Sequence, residues 1–329
     1  LSAGRLINMP ENVFSYFPQM IQMNYAAYLL MSGELGVKLF QFMFAVMSLS
    51  AVYGICRGAG ASWKTALILL VSCPLFAMNA ARPGAELPLA FFALICAAIF
   101  IDDDAAIENA EAGLAGLFAG FALATKYTGG IVAAFFVAVL LLRVVRKRAG
   151  LTALSLFVLG CAVPVAPYLL RNLIYAGNPV YPFLANFICA NEALAQDAVS
   201  YVSHVSSFGT GTGLLEFMVS PLAIVYNRNA FGGDIISPLI PSALLLFILS
   251  DRKKTGLMAA FGVFYFITWF FTGQVLRFLL VLAPFAVVIA ASAFARSGTL
   301  LKYVAVTGLA AAQLTMTFYF SDKYLSPFS

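Results

Sequence analysis

Residues 112–148 read AGLAGLFAGFALATKYTGGIVAAFFVAVLLLRVVRKR. Two apolar runs, 112–126 and 129–146, are separated only by a short turn around Lys126 and Tyr127. The second run ends in Arg143, Arg146, Lys147 and Arg148. A helix needs about 20 apolar residues to cross a bilayer, and a tight turn between two such runs makes an antiparallel pair. Clustered cations mark the cytoplasmic end of a span. The stretch therefore predicts a helical hairpin in a membrane. Lys126 lies at its outer tip, and the cationic end lies inside.

The same pattern recurs along all 329 residues, of which 62% are hydrophobic and only 10% charged, so the chain reads as a membrane protein. Apolar runs at 36–57, 65–81, 87–102, 112–126, 129–146, 151–170, 236–250, 255–272, 278–295 and 298–320 predict an all-α polytopic transmembrane bundle of about ten spans. Arg57 with Lys64, the Arg143–Arg148 group, Arg252 with Lys253 and Lys254, and Arg296 with Lys302 fall in short links and set the cytoplasmic face. Arg5, Lys38, Arg82, Lys126, Arg171, Arg228, Arg277 and Lys323 are scattered singly at the opposite ends. The acidic link of Asp102, Asp103, Asp104, Glu108 and Glu111 would then be cytoplasmic. Acids weigh little in orientation, so the assignment holds. Asp102–Asp104 resembles a DxD metal motif, but it falls on the side away from the other candidates and reads as a solvated link.

The chain is expected to form one integral membrane domain over 1–329, with an outer loop region at 171–235. Residues 1–17 read as the end of an earlier outer loop, so a preceding span is expected upstream of Leu1. Residues 13–32 carry aromatics and polar residues on a helical pattern and read as an interfacial helix or as a cover over a substrate site. Within the outer loop region, NEALAQDAVSYVSHVSSFGTGTG (191–213) is polar and small, and is expected to be mobile. A short amphipathic piece follows at 214–226. No basic patch interleaved with aromatics appears, which argues against nucleic acid as a partner. Five dispersed cysteines and one histidine, His204, give neither a disulfide framework nor metal-ligand spacing.

Several charged residues sit where a charge is costly unless it meets a partner or a ligand. Glu86, in ARPGAELP at the outer start of an apolar helix, reads as a helix-capping acid or as a carboxylate facing an outer cavity. Arg277, in QVLRFLLVLAPF with Gln274 just before it, reads as a boundary arginine or as a phosphate ligand. Lys126 has the same pair of readings. Arg171 and Arg228 follow apolar segments, where arginine is common. Asp234, after Gly232-Gly233, reads as a loop-to-helix cap or as a second acid. His204 reads as a solvated loop residue.

Taken in order, GRLINMPENVFSYFPQ (4–19), GLFAGFALATKYTGG (116–130), PYLLRNLIYAGNPVYPF (167–183), FGGDIISPLIP (231–241) and QVLRFLLVLAPF (274–285) resemble segments of the bacterial GT-C glycosyltransferases. These are the lipid-carrier-dependent relatives of protein O-mannosyltransferases and of the aminoarabinose transferase that modifies lipid A. The resemblance implies a GT-C-like bundle that moves a sugar from a polyprenyl-phosphate carrier to a lipid, glycan or protein acceptor. It places the active site on the outer face of the bacterial inner membrane, amid membrane lipids. It implies that Glu86 stands where the family carries a second acid, with a catalytic role, and that Arg277 lies near the carrier phosphate; from their positions Lys126, Gln274, Arg171, Arg228 and Asp234 are expected to bind substrate with it. The family's general base, an aspartate in the first outer loop, would lie upstream of Leu1. No cofactor or metal site is expected, with a divalent cation left open. The competing reading is a flippase for lipid-linked glycans or another transporter. Such proteins place ionisable groups or broken helices near the membrane midplane, whereas here the charges sit at span ends.

Overall fold

The computed structural model describes residues 12–102 and 105–325, with 320–325 by backbone alone. Among the described residues there is no strand, and every apolar run folds as helix. In hydrocarbon the backbone finds no outside hydrogen-bond partner, so an apolar segment must satisfy its own N–H and C=O groups. The helices are α1 (Met20–Ala59), α2 (Trp63–Ser72), α3 (Pro74–Ala81), α4 (Glu86–Ile99), α5 (Asn109–Thr125), α6 (Gly129–Val145), α7 (Leu151–Ala176), α8 (Glu192–Ser206), α9 (Leu214–Tyr226), α10 (Leu239–Leu249), α11 (Arg252–Thr272), α12 (Ala283–Ala295) and α13 (Thr299–Leu325). Short 3₁₀ turns occupy Val13–Tyr16, Arg228–Phe231 and Leu276–Leu282.

Helix lengths are less uniform than ten equal spans would need. Among the described residues, α1, α7, α11 and the continuous Leu276–Ala295 stretch are long and apolar enough to cross a membrane. The pair α2 and α3 adds a fifth if counted as one span, although it bends by 69° at Cys73-Pro74. Proline cannot donate to the preceding turn but suits the first position of a new helix, so the run breaks there. α4, α6, α9 and α10 are shorter apolar helices. α1 is interrupted at Gly33, whose φ of 65° and ψ of −161° lie outside the helical region.

The chain packs as two compact units, each built from two separate stretches: Leu1–Val37 with Ala106–Phe208, and Lys38–Ala105 with Gly209–Ser329. The outer loop region expected at 171–235 is therefore divided between them.

In the first unit, α5 and α6 form the hairpin read from residues 112–146. The tightest packing joins α5 to α7. A Cβ at Gly116 would run into the Phe157 backbone, one at Gly120 would lie 2.5 Å from the Cys161 carbonyl, and one at Gly160 would lie 2.6 Å from the Gly113 carbonyl. The glycines let the two backbones touch, which is how apolar helices gain contact in lipid. Residues 13–32 do not make one interfacial helix. Pro18 follows a 3₁₀ turn at Val13–Tyr16, and helix resumes only at Met20. The stretch expected to be mobile is helical over Glu192–Ser206. The Asn191 side chain accepts from the Leu194 amide at 2.9 Å and starts α8. Leu194 and Ala198, one turn apart, then bury themselves with Tyr16, Ala176, Tyr181 and Ala185. The polar letters hid an apolar pair at helical spacing.

In the second unit α12 is buried all round and is packed by α2, α10 and α11. The 3₁₀ turn Leu276–Leu282 lies against α4. That contact is what carries Arg277 to the first residue of α4.

Because the α5–α7 contact leaves no room for a side chain, Gly116→Val should destabilise the protein by about 1–3 kcal/mol through overpacking. Gly113→Ala, whose Cβ would meet only ordinary contact at 3.8 Å from Leu156, should be tolerated. Thermal unfolding in detergent checks this: a lowered midpoint is expected for the first variant and an unchanged one for the second.

Candidate functional site

The turn Arg82-Pro83-Gly84-Ala85 ends α3 and starts α4 at Glu86. A carboxylate at a helix N-terminus faces unpaired amide groups and a favourable dipole. Glu86 is nevertheless buried, with its side chain only 10% exposed. Its Oε1 lies 3.6 Å from Nε of Arg277, whose side chain is 57% exposed. That separation is an ion pair without a tight hydrogen bond. The Arg277 guanidinium also lies 5.7 Å from the ring centre of Phe278. The Glu86 carboxylate passes over Gly84, where an added Cβ would sit 3.3 Å from Glu86 Oε2 and 3.7 Å from Asn79 Oδ1. Asn79 is fixed in turn: its amide donates to the Leu75 carbonyl at 2.7 Å, and Gln41 donates to the Asn79 carbonyl at 2.7 Å.

Asp234 joins this group from a loop. Gly232 and Gly233 have φ of 95° and 81°, a left-handed pair that glycine adopts without steric cost. The Gly233 amide donates to the Arg228 carbonyl at 2.9 Å, so Arg228 shapes the turn that presents Asp234. The Asp234 carboxyl is pushed above its ordinary value, first by burial. Arg277 pulls it down, Glu86 pushes it up, and Arg82 pulls it down. Glu86, Arg277, Asp234 and Arg82 therefore share one electrostatic environment. Sequence reading placed Arg82 among the single cations but not in the site. Its spacing of four residues from Glu86, across a Pro-Gly turn, was the available signal.

Gln274, expected among the substrate ligands, has a different occupation. Its amide donates to the carbonyls of Gly211 at 2.6 Å and Phe270 at 3.1 Å, and its oxygen accepts from the Thr210 amide at 3.2 Å. It is buried and clasps the 209–213 loop to the end of α11. In this way it positions the segment before Arg277.

Lys126 and Arg171 belong to the first unit. Lys126 caps α5 in an extended conformation, and its carbonyl accepts from the Gly129 amide at 2.8 Å. Arg171 donates to the Phe17 carbonyl at 2.9 Å and to Asn172 Oδ1 at 3.1 and 3.2 Å. Asn172, fully buried, donates to the Tyr16 carbonyl at 2.7 Å and to the Tyr127 hydroxyl at 3.0 Å. The Tyr127 hydroxyl donates onward to the Tyr181 carbonyl at 2.7 Å. Burial pushes the Tyr127 phenol up, against Arg171 and Asn172, which lower it. Arg171 thus serves a knot that ties residues 16–17, 127, 172 and 181 together. Asn172, Tyr127 and Tyr181 were not read as site residues from sequence, although all three sit inside quoted motifs. His204 is exposed on α8, against Phe208. Asp103 and Asp104, with most of residues 1–17, lie outside the described residues.

The raised Asp234 carboxyl has a consequence for stability. An acid whose folded value exceeds its unfolded value holds its proton more tightly when folded. Its contribution is complete below the ordinary carboxylate value of 3.8 and is lost as pH rises through the folded value. Asp234→Asn, which removes that penalty, should raise the thermal midpoint at pH 8 relative to wild type, with the difference vanishing near pH 3.5. Paired melting curves at the two pH values check it.

No curated protein matches this chain. Among solved structures, ArnT from Cupriavidus metallidurans bound to undecaprenyl phosphate superposes with a TM-score of 0.60 at 13% identity, over 98% of this chain and 67% of that one. At that identity the likeness establishes a shared fold, the GT-C-like membrane bundle. A family model described as "Domain of unknown function (DUF8201)" matches residues 34–284. Since that match covers most of the sequence, the chain belongs to the DUF8201 family, carried on a GT-C-like fold.

Proposed function

We propose that this membrane protein is a glycosyltransferase that moves a sugar from a polyprenyl-phosphate carrier to an acceptor at the outer face of the bacterial inner membrane. The observation that carries the reading is Arg277: a half-exposed guanidinium at the end of an apolar segment, held loosely at 3.6 Å by the buried Glu86. A carrier phosphate is a good ligand for such a group, because the planar fork offers two parallel donors. As the sugar leaves, negative charge builds on the phosphate, and a cation fixed beforehand stabilises it without reorganisation. Glu86 is assigned to orient the acceptor hydroxyl and to support the general base. Asp234 and Arg82 set the local potential around both. Direct displacement at the anomeric carbon inverts its configuration, with acceptor and phosphate on opposite faces. Support for the lipid carrier comes from the fold neighbour, which was captured with undecaprenyl phosphate.

In the full-length protein, with a radiolabelled polyprenyl-phosphate sugar, Arg277→Ala should slow transfer by about 10²–10³-fold, the loss seen when one transition-state donor is removed. Arg277→Lys keeps the charge but not the fork, so it should recover part of that loss. Glu86→Gln should lower transfer while leaving carrier binding near wild type. Wild-type transfer and carrier affinity in Arg277→Ala would refute the phosphate assignment.

A further inference from the structure

The loop that follows α7 folds back on the helix it leaves. The Ala190 amide donates to the Ala176 carbonyl at 2.9 Å, so residues 177–190 form an Ω-shaped loop closed on the last turn of α7. Its inner side is tied down: the Tyr181 ring is buried and its hydroxyl donates to the Leu194 carbonyl at 2.8 Å. Its tip is apolar and turned outward, with Phe183, Leu184 and Ile188 exposed and Phe187 85% exposed. Leu184 has φ of 58°, a conformation that costs a branched side chain energy, and its carbonyl accepts from the amides of Phe187 and Ile188 at 2.9 and 3.0 Å. Between this tip and α8 lies a cavity of about 380 Å³, lined chiefly by Phe183, Leu184, Phe187, Ala198, Val199 and Val202. That size lies within the range of ligand cavities.

Water is an unfavourable occupant of such a surface, and its position supplies another. α7 is a candidate membrane span whose side chains are mostly exposed, so it presents an apolar surface up to Ile174 and Tyr175. No charged residue occurs between Arg171 and Glu192. The loop resumes that apolar surface directly at the span's end, at the level where headgroups meet chains and where aromatic residues gather. We propose that this cavity binds one hydrocarbon chain of a bilayer phospholipid, with Phe187 and Ile188 inserted into the leaflet beside it. The site is independent of the glycosyl-transfer reading, since none of its residues lies in the Glu86–Arg277 group.

The test uses the full-length protein in vesicles of phosphatidylethanolamine and phosphatidylglycerol carrying a phosphatidylethanolamine with a diazirine near one chain end. After illumination, mass spectrometry of the digested protein should find label enriched in residues 182–203 over other lipid-facing segments. Val202→Glu places a carboxylate in the cavity wall at an exposed position of α8, and Phe187→Ser removes the inserted ring. Each should cut that label several-fold, whereas His204→Glu, outside the cavity lining, should not. Label absent from 182–203, or equal in wild type and both variants, would overturn the proposal. Displacement of the label by excess unlabelled polyprenyl phosphate would assign the cavity to the carrier's chain and would equally overturn the phospholipid assignment.

Discussion

Hydrocarbon offers a polypeptide no hydrogen-bond partner, and this constraint shapes the rest of the molecule. It makes helix the only form open to an apolar run. It also confines departures from helix to places where other protein groups replace the lost bonds. Those departures are where the polar chemistry gathers. The bend between α2 and α3, the Pro83-Gly84 turn and the Gly232-Gly233 turn each free backbone from helix, and the last two present Glu86 and Asp234. A carboxylate delivered to such a place must meet a cation, and Arg277 meets it from the 3₁₀ turn packed on α4. The candidate site is thus a product of where helices stop.

The glycine contact between α5 and α7 has a complementary role. Lipid supplies little hydrophobic drive for helix association, so close backbone approach must supply the adhesion. Gly116, Gly120 and Gly160 provide it in the unit that holds the Asn172 knot. The other unit relies on large side chains around α12 and on the clasp made by Gln274.

The helical character and the positions of the apolar runs were legible in the sequence, because hydrophobicity along the chain reports a segment's preferred medium directly. The α5–α6 hairpin rested on that reading, and the cost of a lone charge singled out Glu86 and Arg277 separately, while their pairing came from the structure. What stayed hidden depended on partners distant in sequence. Asn172 looks like a residue after a membrane arginine until Tyr16, Tyr127 and Tyr181 surround it. Gln274 reads as a ligand because its binding partners, the backbone of 210–211, carry no side-chain signature. α8 looked unable to fold because two apolar residues suffice once a buried tyrosine pair is there to receive them. Run lengths do not fix span number, since one proline at position 74 bends a single run into two helices.

The bond from Asn172 to the Tyr16 carbonyl joins groups 156 residues apart. Closing so wide a loop costs chain entropy that no local contact repays, so such a contact forms late. The segment around Tyr16 is made before α5 and α6, and its donors on α7, Arg171 and Asn172, arrive only after them. Until then the Tyr16 and Phe17 carbonyls depend on water or on temporary partners. The knot should therefore close late in the folding of its unit, and a chain halted before residue 172 would leave the Tyr16–Phe17 segment undocked.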